Sequence, residues 1–331
     1  MRLLTPWTKT LVAACLAAVA SGAFAQTKLT IGYNSAPGNP RDTAAHIFAK
    51  EVETLTQGSL QIQVAGNAQL GDDQAMLTGM RTGSIDISPN SQGVASSVVP
   101  DISAFGMPFL FDSLEHAWRV VDDERVQSHL VKKFDEKGLV LLGFMDQGIR
   151  HVSNNRNPIR TLDDLKGLKL RTPPDPVTVD IFRELGADPQ QIKFSELYVA
   201  LQQGVVEGQE NPLMNIDSSK LYEVQKYISF TGHKWECIPF LVSKRTWGRL
   251  NEAQRQAITQ AAQTAIKAQR DLVKQSDLEL FDKLKKDGVT FNELDVQPLR
   301  TASQAVVDKW LAGDSGEFVR LVLDVAAAKR Q

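Results

Sequence analysis

The sequence predicts an α/β protein of two lobes, built on parallel or mixed sheets and carrying a long helix towards its C-terminus. Three observations lead there. Alternation of apolar and polar residues at 29–33, a helical pattern at 41–56 and renewed alternation at 60–64 place strand, helix and strand within about thirty residues, the pattern of a βαβ unit. The chain has 331 residues, and a single apolar core stops growing near ~250–300 residues, so two cores are expected. Residues 249–287 hold neither Gly nor Pro, and this stretch at ~1.5 Å per residue reaches on the order of 58 Å of helix if unbroken. One break in it is expected.

The N-terminus has the parts of a secretory signal peptide: Arg2 and Lys9, an uncharged apolar middle, and Ala23-Phe24-Ala25 before Gln26. Residues 1–25 are expected to be removed, sending the product to the periplasm. Cys15, at the end of a lipobox-like Val12-Ala13-Ala14, has almost no apolar core before it and leaves with the signal. The 39 acidic residues then outnumber the basic ones, 37 less Arg2 and Lys9, by four. A mildly acidic chain is a poor partner for nucleic acid or an anionic membrane. Cys237 is left alone, so no intramolecular disulfide and no thiolate zinc cage is expected. The five histidines show no metal-ligand spacing. No phosphate-binding, dinucleotide or nucleophile-elbow motif occurs, and no cofactor is expected.

Taken in order, the strand at 29–33 runs into a turn-rich loop at 34–40. In open α/β sheets ligands sit beyond the carboxyl ends of strands. Asn34, the loop 68–73 ending at Asp73, and the loop 88–93 with Ser91 and Gln92 are therefore candidate walls. The helix at 41–56 sets Ala45, Phe48, Val52 and Leu55 on one face. Asp72 or Asp73 caps a helix over 74–81. The loop 88–93 reads equally as a donor set for a polyhydroxylated ligand or as plain turn chemistry. Residues 105–111 are apolar and aromatic, core with one side on the cleft. Helices over 114–121 and 126–137 lead to 139–144, hydrophobic throughout like a strand buried on both faces. A strand over 235–243 follows, then a capping box at Asn251 and Gln254 opens the long helix. Residues 289–291 form a short strand and further helices close the chain.

Between these lies the segment 147–211. Leu168 to Arg171 alternate as a short strand, and Thr172-Pro173-Pro174 stops it, because paired prolines fix φ and remove two donors. Arg171 thus hangs at a strand end beside rigid backbone. Residues 194–202 read as a helix and 207–212 as a constrained loop. Arg150, Arg171 and Asn211 converge there. Each arginine either pairs with a nearby carboxylate, such as Asp163, Asp164 or Asp175, or faces a ligand. Residues 26–149 form the first lobe, 150–234 the core of the second, and 235–331 return to be shared, so the chain crosses between lobes more than once. Such crossings restrict the lobes to hinge bending.

The strings DLKGLKLRTP, KFSELYVALQQGVVEGQENPL and LYEVQKYISFTGH, in this order, resemble the substrate-binding proteins of tripartite ATP-independent periplasmic (TRAP) transporters. The resemblance covers nearly the whole mature chain and implies the two-lobed periplasmic binding protein fold. It implies that Arg171 grips a substrate carboxylate as a two-pronged ion pair, which a lysine cannot copy. It matches Arg150 to the family's second arginine and Asn211 to its third recurrent contact, and implies an integral membrane permease as partner, with no ATPase. Arg156, among Asn and Pro residues, faces solvent on this reading. Glu207 and Glu210 are read as structural.

Specificity is expected elsewhere. Phe194 packs on the ligand's carbon frame or in the core. Trp235 and Glu236 stand where sugar-acid binders of the family face the pocket, the indole covering a pyranose and the carboxylate accepting from hydroxyls; the alternative is a lobe-packing tryptophan and an exposed glutamate. His151, next to Arg150, touches the cleft. D-glucuronate or D-galacturonate is the expected cargo, with sialic acid, an aldonate or a C4-dicarboxylate as runners-up. The rival class is a secreted hydrolase or lyase of acidic sugars drawing its acid and base from Glu207, Glu210, Glu236 and His151.

Overall fold

The computed structural model describes residues 26–330, so the expected signal segment 1–25 with Cys15 lies outside the described residues. The chain opens as read. β1 (Thr27–Gly32) pairs in parallel with β2 (Leu60–Ala65), Thr27 opposite Leu60 through Gly32 opposite Ala65, and α1 (Pro40–Leu55) connects them. Asn39 caps α1 by accepting from the Arg41 N–H at 3.0 Å, and Ala44, Ala45, Phe48 and Val52 are its buried face. Asp72, rather than Asp73, caps α2 (Asp73–Thr82), which frees the Asp73 carboxylate to turn inward.

β3 (Ile87–Pro89) and the single turn α3 (Gln92–Ala95) follow, then a 3-10 segment (Pro100–Gly106), α4 (Leu114–Val121) and α5 (Glu124–Glu136). β4 (Leu139–Asn154) leads to β5 (Lys169–Thr172), α6 (Pro176–Glu184), β6 (Asp188–Gln191), α7 (Leu197–Gln202), β7 (Gly208–Asn211) and α8 (Leu213–Ser218). β8 (Tyr227–Ser243), α9 (Lys244–Arg249), α10 (Glu252–Lys286), β9 (Thr290–Asn292), α11 (Gln297–Ala302), α12 (Gln304–Leu311) and α13 (Gly316–Ala328) complete the chain.

The nine strands of the described residues form one mixed sheet in the order β2-β1-β3-β8-β4-β7-β5-β6, with β9 beside β8. β4 and β8 are its spine, 16 and 17 residues long and antiparallel along almost their whole length. β3 pairs with the late residues 240–242 of β8, while β7 pairs with the late residues 151–154 of β4. The two long strands therefore carry the sheet from a first half built on β1 to β3 into a second half built on β5 to β7. A bulge interrupts the spine between Asp146 and Gly148, where Gly148 takes φ +95°. Asp146 is fully buried there, accepting from the indole N–H groups of Trp118 and Trp235 and from the Gly148 amide.

Two readings are corrected. Residues 207–212, expected as a loop, contain β7, a strand paired on both sides in mid-sheet. Its residues are Gly, Gln, Glu and Asn, all buried, so no apolar alternation announces it. Gly208 is there because a Cβ would lie 2.5 Å from the Ser153 carbonyl oxygen of the neighbouring strand. The expected break in the long helix is absent: α10 runs 35 residues, about 52 Å, from the Asn251–Gln254 capping box to the turn at Gly288. Its alanines 257, 261, 262 and 265 are buried, and 261, 262 and 265 pack in one core with Ala44 and Ala45 of α1. Small side chains let the two helices approach closely. The far end of α10 carries Leu284 into the core under the second half, so one unbroken rod spans both. Among the described residues, no helix is long and apolar enough to cross a membrane.

Candidate ligand-binding site

A cleft of about 280 Å³ opens between the halves. Asn34, Asp73, Ser91 and Val94 line it from the first half, and Arg171, Pro173, Pro174, Ile192 and Phe194 from the second. It continues into a smaller polar recess bounded by Arg41, Gln147, Arg150, Asn211, Asn215 and Glu236, with Asn34, Ser91, Arg171, Pro173 and Phe194 common to both.

Arg171 sits at the end of β5, flanked by Gln190 of β6 and Gln209 of β7. It is 1 % exposed. Its Nε donates to the Ile192 carbonyl at 2.8 Å and its guanidinium lies 5.8 Å from the centre of the Phe194 ring. Among the described residues no carboxylate forms an ion pair with it, and its two terminal nitrogens have no protein acceptor. Burial pulls its pKa down to about 10, although Glu210 and Glu236 act to raise it. It remains a cation at neutral pH. A buried guanidinium without an anion is expensive.

Arg150 is in the opposite situation. Its Nη1 donates to Glu236 at 2.6 Å, its Nη2 to Glu210 Oε1 and to the Glu210 carbonyl, both at 2.7 Å, and its Nε to the second Glu210 oxygen. Burial opposes the charge on Arg150, but the two glutamates outweigh it and raise its pKa. For Glu210 burial again works against ionisation, and Arg150 and His233 outweigh it, so its pKa falls. The partners proposed from sequence are engaged elsewhere: Asp163 pairs with Lys166 at 2.7 Å, Asp164 closes the capping box at Thr161, and Asp175 holds Lys234 in a buried pair. Arg156 is exposed and donates to the Asp164 carbonyl.

Asn211 faces the recess, its Oδ1 accepting from Arg150 at 3.2 Å and from Asn215 at 2.9 Å. Asp73 is buried, its Oδ2 accepting from the Ser91 N–H at 3.1 Å and from the Ser91 hydroxyl. Burial raises its pKa, against the pull of Arg41 and Ser91. Phe194 lies on the cleft wall. Glu236 is buried rather than exposed, and its Oε1 accepts from the Gly93 amide at 3.2 Å.

Three expected contacts are not among the lining residues. Trp235 turns to the opposite face of β8 from Glu236, its indole bonded to Asp146 at 2.9 Å and edge-on to Phe111. His151 stands in the same relation to Arg150 on β4, accepting from the Gly232 amide at 3.1 Å and packed edge-on to Phe230. Successive strand residues point to opposite faces, so one of each adjacent pair is excluded from the cleft. Gln92 is buried against Cys237, whose N–H donates to its Oε1 at 3.3 Å. Residues that the sequence reading missed are Arg41, Gln147 and Asn215. Arg41 Nη1 donates to Asn34 at 2.9 Å and its Nη2 to Gln147, while Gln147 reaches Glu236 at 3.4 Å. One signal was present: a cation in the first turn of a helix opposes the macrodipole and needs a reason to be there.

The sequence pattern of the bacterial extracellular solute-binding proteins, family 7, matches residues 31–314. An uncharacterised Sinorhizobium fredii protein is 46% identical over 308 residues, 93% of this chain, which spans 57% of that protein's length. The 2,3-diketo-L-gulonate-binding periplasmic protein of Escherichia coli is 32% identical, over 85% of this chain and 86% of its own. The solved sugar acid binding protein of Advenella mimigardefordensis, in complex with galactonate, superposes with a TM-score of 0.89 at 32% identity, over 92% of this chain and 99% of that one.

Proposed function

The chain belongs to the bacterial extracellular solute-binding proteins of family 7, which serve TRAP transporters, and from that premise we propose that it captures a sugar acid in the periplasm and delivers it unchanged to a membrane permease. The observation that carries this reading is the buried Arg171 guanidinium at the cleft, with no protein anion among the described residues and two terminal nitrogens left for a carboxylate. A planar fork matches both oxygens of a carboxylate with two parallel bonds. The polar recess beyond it, with Asn34, Asn211 and Asn215, offers donors and acceptors for the hydroxyls of the same molecule.

The family is one of binding proteins, not enzymes. Of the residues named for the hydrolase or lyase reading, Glu210 and Glu236 are committed to Arg150, and His151 is not among the residues lining the cleft. The ligand bridges both halves and favours the closed arrangement by the contacts it gains there. The two halves act as hinged lobes about β4 and β8, and residues 1–25 act as the export signal.

Within the sugar acids, the hexuronates D-galacturonate and D-glucuronate are the first choice, their C–H face resting on Phe194 and Pro173. An open-chain aldonate is the second reading, favoured by one observation: Trp235, the ring-stacking platform expected from sequence, faces away from the cleft. Titration calorimetry with D-galacturonate, D-glucuronate, D-galactonate and succinate tests both. Stoichiometric binding of a sugar acid, with the ligand recovered intact, is expected. Preference for succinate, or turnover of any of the four, overturns the reading.

A further inference from the structure

The two walls of the cleft meet at a point that has no side chain on one side. Gly93 lies between the lining residues Ser91 and Val94, and Asp175 directly follows the lining residues Pro173 and Pro174 of the other wall. A Cβ on Gly93 would stand 2.5 Å from Asp175 Cβ, 3.0 Å from its Cγ and 3.3 Å from its Oδ2, and these are the three nearest atoms. Carbon atoms in contact prefer ~3.5–4.0 Å. Even a methyl group requires one wall to move.

Asp175 is not free to yield. It is fully buried, it caps α6 by accepting from the Val177 N–H at 3.2 Å, and its other oxygen takes the Thr178 hydroxyl at 2.6 Å and the Lys234 ammonium. Gly93 is fixed from its own side, its N–H donating to Glu236, which in turn holds Arg150. The backbone at Gly93 is ordinary helix in α3, with no positive φ. Local conformation does not ask for glycine there, and alanine is the better helix former by about 1 kcal/mol. The demand comes entirely from the opposite wall.

We propose that Gly93 is a positioning residue that sets the width of the cleft: its missing side chain lets the Ser91–Val94 wall close onto the wall that carries Arg171, and so fixes how large an acid the site accepts. The inference rests on the sugar-acid reading for its ligand, though not for its geometry.

The test is Gly93→Ala in the full mature chain, with Gly93→Ser as a second, larger wedge. D-Galacturonate, D-galactonate and the nine-carbon sialic acid are titrated against parent and variants, and ligand-free melting temperatures are compared. Overpacking of a tight contact predicts that the two six-carbon acids bind about tenfold or more weakly to Gly93→Ala. Sialic acid loses less than the six-carbon acids, and Gly93→Ser exceeds Gly93→Ala. A general fall in stability with equal losses for all acids marks a merely structural role and overturns the proposal, as does unchanged affinity for the six-carbon acids. A ligand-independent measurement stands beside this one: spin labels on cysteines placed at the exposed Thr78 and Glu196, one on each half. Gly93→Ala is expected to lose the shortest inter-label distances that the parent samples, and identical distance distributions overturn the inference. If the parent binds none of the three acids, the functional reading fails, and the label distances still decide the role of Gly93.

Discussion

Arg150 and Arg171 line the same recess, both 1 % exposed, in opposite electrostatic states: Arg150 is held by Glu210 and Glu236, whereas Arg171 has no carboxylate partner among the described residues. The difference assigns the two arginines different work. The first anchors β4, β7 and β8 to one another beneath the cleft, and on the function proposed above the second is left to the ligand.

Removing a partner of Arg150 therefore damages the fold as well as the site. Glu210→Gln leaves the buried guanidinium with Glu236 as its remaining carboxylate and exchanges one of the two oxygens that serve Arg150 and His233 for an amide NH2. Urea denaturation is expected to show a loss of about 3 kcal/mol, in the range for a broken buried ion pair. A loss below about 0.5 kcal/mol, typical of surface substitutions, contradicts the assignment of Arg150 as the anchor.

Trp235 and Phe194 separate in the reverse sense. Trp235→Phe removes the indole bond to Asp146 and is expected to lower the melting temperature while leaving sugar-acid affinity within about twofold, since only a remote hydrogen bond of ~1 kcal/mol is lost. Phe194→Ala, which strips the wall beside Arg171, is expected to weaken binding by roughly tenfold with little effect on melting. Calorimetry and thermal denaturation of both variants check the pair, and a Trp235→Phe variant that loses binding would put the indole back in the site.

Asp146 makes stability depend on pH. Burial raises its pKa to about 7, against the pull of Trp118, Gly148 and Trp235, whereas an unfolded chain has the ordinary carboxylate value near ~4. Between these values the folded protein holds a proton that the unfolded chain has released, so this group's contribution to stability declines as pH rises through that window and is level above it. Asp146→Asn removes the titration. The stability difference, variant minus parent, is expected to grow in the variant's favour from pH 4 to pH 7 and then level off; a difference that is flat with pH contradicts the buried-carboxylate account.

Much of the architecture was legible in the chain because local chemistry announced it. The Asn251–Gln254 capping box, the Gly- and Pro-free run behind it and the proline stop after Arg171 are short-range signals, and each element appears where its signal lies. β7 was not legible, since buried polar residues in mid-sheet mimic a loop. Nor was the chain of contacts from Arg41 through Gln147 to Glu236, whose members lie 106 and 89 residues apart. Trp235 was misread for a simpler reason. It and Glu236 are neighbours on one strand, and strand geometry admits only one of them to a given face. The same rule excludes His151 beside Arg150.

Titration calorimetry on the parent chain and on Arg171→Gln, each with D-galacturonate and with its neutral counterpart D-galactose, tests the grip on a carboxylate most directly. The parent is expected to bind the acid and to ignore the neutral sugar, and Arg171→Gln to lose about 2–5 kcal/mol on the acid, roughly thirty- to several-thousand-fold in Kd. Equal binding of acid and neutral sugar by the parent, or an unchanged Kd for the acid in the variant, would contradict the account.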